Sequence, residues 1–576
     1  MSANGSTLLC RALERQGVEC VFGLPGSQDI LLFETLRRSR LRTVLTTHEL
    51  AAAFMANGYA RVSGKVGVLI TIAGPGFTYA LPGLAEALLD SAPLLHIVHK
   101  PAASGEHKFA LQALDQEAIA RPMVKAVYEV DDVGELMPTL EKAYATALGG
   151  EPGPVLLQVA DAVFSQPYSG LEAAASSTPV LPVSSASELE EAVRRLAASR
   201  RALIYCGQGA NDAAPSLRQF AELLQAPVVA TRSARGVLPE DHPLAIVFNP
   251  EGGAVVALNR LVVRSDLVLA LGCKFSFNGS AGFQLRIPPE KLLHVDASPD
   301  VLGGNYASVL AICSGVSQFL ASLLQDRDAF QSRVHGWDSA ELARWREEIW
   351  TETAQALTEP KVKGVSPPTP AGFFSTLRKI MPAESCLVTD SGLHQVLARV
   401  HFCVTSPRGL LVPSDFQSMG FGLPAAIGAQ LAAPHRPVVA LIGDGGMAIS
   451  AMELLTAARE GIPLTVIVFN DGALGQIRLQ QLSSFGIDHA THLLNPDFAL
   501  LAESLGVTYF LLEGDAEDVL RRALDTLGVS LVEVRLGDST AIHLRRAQGA
   551  ARETARRLLP ARLLQAIKRR LGFPRH

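Results

Sequence analysis

An α/β protein built from three doubly wound parallel-sheet domains is predicted by three observations. Short apolar runs rich in β-branched residues recur along the chain; they alternate with helical stretches and Gly/Pro turns; and two polar, small-residue linkers divide the series into thirds. The first series contains "VECVFGLPG", "VGVLITIAGPG", "PLLHIV" and "PVLLQVAD". Its end is marked by "EAAASSTPVLPVSSASE" (172–188). The second contains "RALIYCGQGA", "PVVATRSARG", "SDLVLALGCKFS" and "KLLHVDASP", and closes at "TEPKVKGVSPPTP" (358–370). The third runs from "ESCLVTDSG" to "SLVEVRLGD". Domains are therefore expected near 1–172, 188–340 and 365–540, followed by a tail at 541–576. A chain of 576 residues is too long for one core, which agrees with such a division.

Composition narrows the function classes. Apolar residues at 48% and charged residues at 19% fit an ordered enzyme. A net charge of −5 gives no reason to expect a nucleic-acid partner. The seven cysteines are scattered without metal-ligand spacing and read as reduced packing residues of a cytoplasmic protein. No signal peptide or membrane-spanning run is expected. The tail is the exception to the acidic balance: from Arg545 onward it has ten Lys/Arg against one Glu. A helix beginning near Pro560 would place Leu559, Leu563, Leu564, Ile567 and Leu571 toward one side. Peripheral membrane contact is one expectation for it, and packing against another subunit is the other.

The stretch "ALIGDGGMAISAMELLTAAREGIPLTVIVFNDGALGQIR" (440–478) carries the chemistry. It reads as a strand, a turn at Gly443-Asp444-Gly445, a helix capped by Ser450 and stopped by Gly461, and a second strand ending at Asn470-Asp471. Such a unit delivers both acids, 27 positions apart (471 − 444), to the carboxyl ends of neighbouring strands. Two carboxylates meeting there repel unless a cation lies between them. Hard oxygen ligands without nearby Cys or His favour Mg²⁺, which commonly keeps phosphate oxygens in its octahedron. Alone, a Gly-Asp-Gly is most often just a turn.

Its company is more specific. Gly-Asp-Gly with a later "ND" resembles the thiamine diphosphate motif, in which Asp471 stands where an asparagine is usual. "FGLPGSQDILLFETL" resembles the first strand–turn–helix of the pyrimidine-binding domain of that superfamily. "TTHELAAAFMANGYARVSGKVGVLITIAGPGFTYALPGLAEALLDSAPLLHI" and "SDFQSMGFGLPAAIGAQLA" match two further segments in the right order. The resemblance covers about 540 residues and is nearest the acetolactate synthase-like branch. It implies a thiamine diphosphate-binding fold with pyrimidine-binding, central and diphosphate-binding domains.

By that resemblance, Glu49 hydrogen-bonds the aminopyrimidine and promotes its imino tautomer, a role that needs the apolar setting "ELAAAFMA" supplies. Met419 is the wedge beneath the cofactor, and the Gln417 carbonyl receives its amino group. Asp444, Asp471 and the carbonyl of Ala473 bind magnesium. Gly443, Gly445 and Gly446, with Gly392 and His394 of "TDSGLHQ", lie along the diphosphate; Leu393 replaces a usual glutamine. Without the resemblance, Glu49 is a first-turn helix acid, Met419 a core methionine, and His48 structural. Each site in the family joins domains of two chains, which implies at least a homodimer, with a homotetramer common.

The reaction is less legible. The paired histidines of simple 2-oxo-acid decarboxylases are not evident, and Ile477 stands where their second acid lies. Without a positioned proton donor, the carbon nucleophile left after decarboxylation or cleavage meets a second carbonyl, which favours carboligation or lyase cleavage. Gln112 occupies the place of a substrate-side glutamine, while "LDQ…ARP…K" leans equally toward 2-hydroxyacyl-CoA and oxalyl-CoA lyases. Ser27 is either a carboxylate contact or a plain turn serine. Gln480 stands where acetolactate synthases carry a tryptophan. Relatives hold FAD or ADP in the central domain, but "KFSFNG" lacks the usual arginine turn, so functional flavin is not expected. A 2-oxo-acid decarboxylase is an alternative activity. A non-catalytic paralogue acting as a scaffold is the alternative of another class, against which Glu49, Met419 and Asp444 together argue.

Overall fold

The computed structural model describes residues 3–100, 111–169, 181–249, 254–331, 333–355 and 359–538. The tail at 541–576 lies outside the described residues, as do parts of both linkers. Three parallel sheets form three α/β units, as the run pattern predicts. Their strands are buried almost throughout, which is why they read as continuous apolar runs rather than alternations.

The N-terminal sheet has the strand order Arg42–Leu45, Cys20–Gly23, Gly67–Thr71, Leu94–Lys100, Pro154–Ala160, Ala126–Val130. The C-terminal sheet repeats that order with Leu410–Leu411, Cys386–Thr389, Val438–Gly443, Leu464–Asn470, Val529–Gly537 and Thr508–Leu511, and adds Lys361–Val362 antiparallel to Val529–Gly537. The two units share one topology without an evident sequence repeat. The central sheet runs Ala245–Ile246, Val228–Ala230, Ala202–Cys206, Leu267–Leu271, Leu292–Asp296, Leu310–Cys313, so its order reverses between Ala202–Cys206 and Leu267–Leu271.

The N- and C-terminal units are fused by one apolar cluster, whereas the central unit has a cluster of its own. At the junction, helix Glu49–Ser63 crosses helix Gly422–Ala432. Both are built almost wholly of buried small and apolar residues. Their backbones touch at two glycines: a Cβ on Gly58 would sit 2.0 Å from the Ala425 carbonyl oxygen, and one on Gly428 would sit 1.9 Å from that of Met55. Only glycine permits that approach.

One local expectation is corrected. Ser450 does not cap a helix; it ends one. Helix Asp444–Ser450 starts directly at the strand end with Gly443 in the N-cap position, and a second helix, Glu453–Arg459, follows a short break. The Ser450 hydroxyl instead donates to the Gly446 carbonyl at 3.2 Å. Strand Val438–Gly443 therefore passes straight into a helix, with Asp444 as the first helical residue.

Candidate active site

The C-terminal unit gathers most of the motif residues. A pocket of about 120 Å³ is lined by Gly392, His394, Met419, Gly443, Asp444, Gly445, Gly446, Asp471 and Ala473, with Ile477 also on its wall. Asp444 and Asp471 come from adjacent parallel strands paired Gly443 to Phe469. Asp444 is almost fully buried, and its carboxylate accepts from Gly445 N–H at 2.9 Å, Gly472 N–H at 2.8 Å and Asn495 Nδ2 at 2.7 Å. Burial still raises its pKa, against those hydrogen bonds. Burial first, and then Asp444, pushes Asp471 up to about 6, with Arg478 opposing. Two like charges thus converge in a pocket, an arrangement that a divalent cation relieves. Among the described residues no group of three or more His, Cys, Asp or Glu could hold a metal. A metal here would take two carboxylates, a backbone carbonyl and ligand oxygens, and that donor set suits magnesium.

Glycines form the floor because side chains would not fit. A Cβ on Gly392, whose φ is +148°, or on Gly443 would lie 2.9 Å from the His394 ring. A Cβ on Gly445 would lie 3.2 Å from Met419 Cε. Burial pushes His394 down to about 3, so its ring is neutral, and its Nε2 has no partner among the described residues. Met419 is 37% exposed, large for a methionine in a packed protein. Gln417 has φ +67° and lies just outside the pocket lining.

Glu49, Ser27 and Gln112 are not in this pocket. They lie on the N-terminal unit, after strands Cys20–Gly23 (Ser27), Arg42–Leu45 (Glu49) and Leu94–Lys100 (Gln112), close to the loop that follows Gly67–Thr71. Glu49 is buried as the first residue of its helix, with Oε1 about 3.4 Å from where a Gly76 Cβ would stand. His48 is the N-cap, its Nδ1 accepting from Leu50 N–H at 3.1 Å, in keeping with a structural role. Ser27 is exposed. Gln112 adopts φ +58° and accepts from Gln28 Nε2 at 2.9 Å. Its neighbour Gln116 fixes the loop, accepting from Gly74 N–H and donating to the His99 carbonyl and to Gln158 Oε1. In this chain the Glu49 region packs on its own helix Glu453–Arg459, through Thr47 N–H donating to Glu453 at 3.1 Å. Among the described residues, none of the N-terminal unit lines the pocket.

Sequence reasoning missed Asn495, and it named Asn470 only as part of the "ND" of the motif. Asn495 Nδ2 bridges Asp444 and the Asn470 side-chain oxygen, at 2.7 and 3.0 Å. The signal was "LNPDF", polar residues in an otherwise apolar run, but nothing local aims Asn495 at an acid 51 residues away.

Sequence models of the thiamine pyrophosphate enzyme family match in three parts: the N-terminal TPP binding domain over residues 3–119, the central domain over 189–323, and the C-terminal TPP binding domain over 390–534. The chain belongs to the thiamine pyrophosphate enzyme family. Similar relatives include a probable 2-ketoarginine decarboxylase, AruI, of Pseudomonas aeruginosa, 34% identical over 92% of this chain and 93% of that protein. The acetolactate synthase isozyme 1 large subunit of Escherichia coli is 30% identical over 95% and 96%. A probable acetolactate synthase large subunit of Methanocaldococcus jannaschii is 30% identical over 87% and 86%. The chain is thus an acetolactate synthase-like thiamine pyrophosphate enzyme that makes or breaks carbon–carbon bonds.

A larger cavity of this thiamine pyrophosphate enzyme, about 430 Å³, lies elsewhere, where the central strand order reverses. Gly207, Gly209, Lys274 and Asp296 line it from the central unit, and Arg61 and Asp90 from the N-terminal unit. Lys274 is already engaged, donating to the Leu89 carbonyl, Ser91 Oγ and Glu151 at 2.6–2.9 Å. Burial pushes Asp296 up to about 6.

Proposed function

We propose that this protein is a thiamine diphosphate- and magnesium-dependent carboligase or lyase acting on a 2-oxo acid or 2-hydroxyacyl donor. The observation that carries the cofactor part is the convergence of Asp444 and Asp471 over a glycine floor. When bound, thiamine diphosphate would supply a nucleophilic carbon for a substrate carbonyl and a cationic thiazolium ring as the sink for the electrons of the bond cleaved beside it. The chain's task is to hold, shape and shelter that group. Asp444, Asp471 and the Ala473 carbonyl hold magnesium. Gly392, Gly443, Gly445, Gly446 and His394 border the diphosphate. Met419 is the wedge, and the Gln417 carbonyl accepts from the aminopyrimidine.

Glu49 acts on the aminopyrimidine from a second copy of the chain. That no described residue of the N-terminal unit lines the pocket supports this, as do the exposed Met419, Ile449, Met452 and Leu455 of the C-terminal unit. Gln112 and Ser27 then face the substrate from that copy. The carboligase or lyase part rests on what surrounds the reacting carbon. On the C-terminal half, the wall offers aliphatic Ile477 and a neutral, buried His394, with no acid among the described residues other than the two proposed magnesium ligands. A protein without a proton donor there protects the nucleophile for a second carbonyl. Flavin is not favoured in this reading, because the turn "KFSFNG" after Leu267–Leu271 lacks the arginine usual in flavin-holding relatives, and its own cation, Lys274, pairs with Glu151 at 2.9 Å.

The similarity to a 2-ketoarginine decarboxylase favours one second reading, simple decarboxylation of a 2-oxo acid. One experiment separates them. Pyruvate, glyoxylate, a cationic 2-oxo acid and 2-hydroxyacyl-CoA donors are offered with and without aldehyde or 2-oxo-acid acceptors, and products are analysed. A 2-hydroxyketone supports ligation, and formyl-CoA with a free aldehyde supports the lyase. Aldehyde release that no acceptor diverts establishes the decarboxylase instead. A correctly folded protein that binds no thiamine diphosphate makes it a non-catalytic relative.

A further inference from the structure

The segment between strand Leu410–Leu411 and helix Gly422–Ala432 carries both Gln417 and Met419. It is gripped on each side of Met419 by a carboxyl group from a different unit. Ser418 N–H donates to Glu86 Oε2 at 2.9 Å. Gly420 N–H and Gly422 N–H donate to Asp390 Oδ1 and Oδ2 at 3.1 and 3.0 Å. Asp390 follows strand Cys386–Thr389; Glu86 lies on helix Pro75–Leu89 of the N-terminal unit; both are fully buried. Met419 is the single residue between two anchored amides.

Glu86 is costly to bury, and helix packing alone does not ask for it. Its helix neighbours Ala85 and Ala87 are buried as small apolar groups. The second oxygen, Oε1, meets no donor among the described residues. Asp90 lies one helical turn on and pairs with Arg61 at 2.9 Å, while also accepting from Ser414 N–H at 3.2 Å. Asp415 and Lys274 are the other charged groups acting on Asp90. Burial, and then Asp90, pushes Glu86 up to about 8, so it is an acid at neutral pH. One oxygen then carries a proton, and the other accepts from Ser418.

We propose that Glu86 is a positioning residue for the thiamine diphosphate site: with Asp390 it fixes the backbone on both sides of Met419 and so sets the wedge. This rests on the reading that Met419 faces the cofactor. It makes the wedge of the C-terminal unit answer to the N-terminal unit of its own chain.

Hydrogen exchange on the full-length, cofactor-free protein tests it, with thiamine diphosphate and magnesium titrated in parallel by calorimetry. Glu86→Gln keeps an acceptor for Ser418 and a donor toward Asp90. Its exchange over 416–420 and its cofactor affinity are expected within about threefold of wild type. In Glu86→Ala, exchange over 416–420 rises about tenfold or more and cofactor affinity falls about tenfold, while donor KM is unchanged and kcat drops. Glu86→Ala with wild-type exchange and wild-type affinity overturns the proposal. Should Glu86→Ala not fold, the wild type still decides: a Ser418 amide that exchanges as fast as that of exposed Phe416 overturns it. Wild-type protein that binds no thiamine diphosphate refutes the proposed function, and the exchange comparison then judges the anchoring alone.

Discussion

Replacing Gly428 with alanine sets two effects of opposite sign against each other. In a free helix the change gains about 1 kcal/mol, because alanine loses less backbone entropy than glycine. In this protein the new Cβ would lie 1.9 Å from the Met55 carbonyl oxygen, a backbone atom that no rotamer change can move. Reaching an ordinary contact of 3.4 Å requires helices Glu49–Ser63 and Gly422–Ala432 to part by about 1.5 Å (3.4 − 1.9). A gap that wide forfeits more than half of the dispersion energy along the contact, and overpacking of this kind costs about 3 kcal/mol. The net expectation is a loss of about 2 kcal/mol. Gly58→Ala meets the Ala425 oxygen at 2.0 Å and should cost about the same. The double variant should cost less than the sum, since one separation relieves both clashes. Denaturant unfolding, followed by probes in both units, measures all three. Turnover should fall by about two powers of ten, because Glu49 opens one helix and Met419 precedes the other, so that parting them shifts Glu49 toward the partner's site as well as Met419 in its own, and site alignment tolerates less than about 1 Å. A Gly428→Ala protein stabilised by the 1 kcal/mol or so that propensity alone provides would refute the backbone contact.

Four other outcomes are expected. Glu49→Gln should keep most cofactor binding and lose two or more powers of ten in turnover, measured by calorimetry and steady-state kinetics; near wild-type turnover removes Glu49 from the mechanism. Asp444→Ala should abolish magnesium-dependent cofactor retention on gel filtration, whereas Asp471→Asn should be tolerated and bind cofactor more tightly, because the charge that Asp444 repels is gone; a folded but dead Asp471→Asn protein assigns that acid another task. Glu86 holds a proton in the native state that the unfolded chain gives up near its ordinary 4.5, so the stability it contributes is full below that pH and is lost as pH rises through about 8; wild type should therefore lose stability relative to Glu86→Gln across that window, and parallel pH profiles would contradict the assignment. Finally, full-length protein should sediment with anionic vesicles more than a chain ending at Asp538 if the basic tail meets a membrane, and equal sedimentation would dismiss that contact.

The three-sheet architecture was legible in the chain, because a strand buried on both faces must be written as a continuous apolar run. The meeting of Asp444 and Asp471 in one pocket was legible too, because one strand–helix–strand segment carries both acids, and adjacent parallel strands align by local hydrogen bonding. Helix onset was less legible. Ser450 has the composition of a cap, but the helix begins at Asp444 because the chain leaves the strand already turning. Contacts between distant parts of the chain could not be read from it: Asn495 on Asp444, 51 residues away, and, across hundreds of residues, Glu86 on Ser418 and the glycine-to-backbone contacts of Gly58 and Gly428. The separation of Glu49 from the pocket belongs with them. A hydrogen bond between residues 332 positions apart leaves no period or spacing in the sequence, because what aligns the two groups is the packing of whole units and not the chain between them.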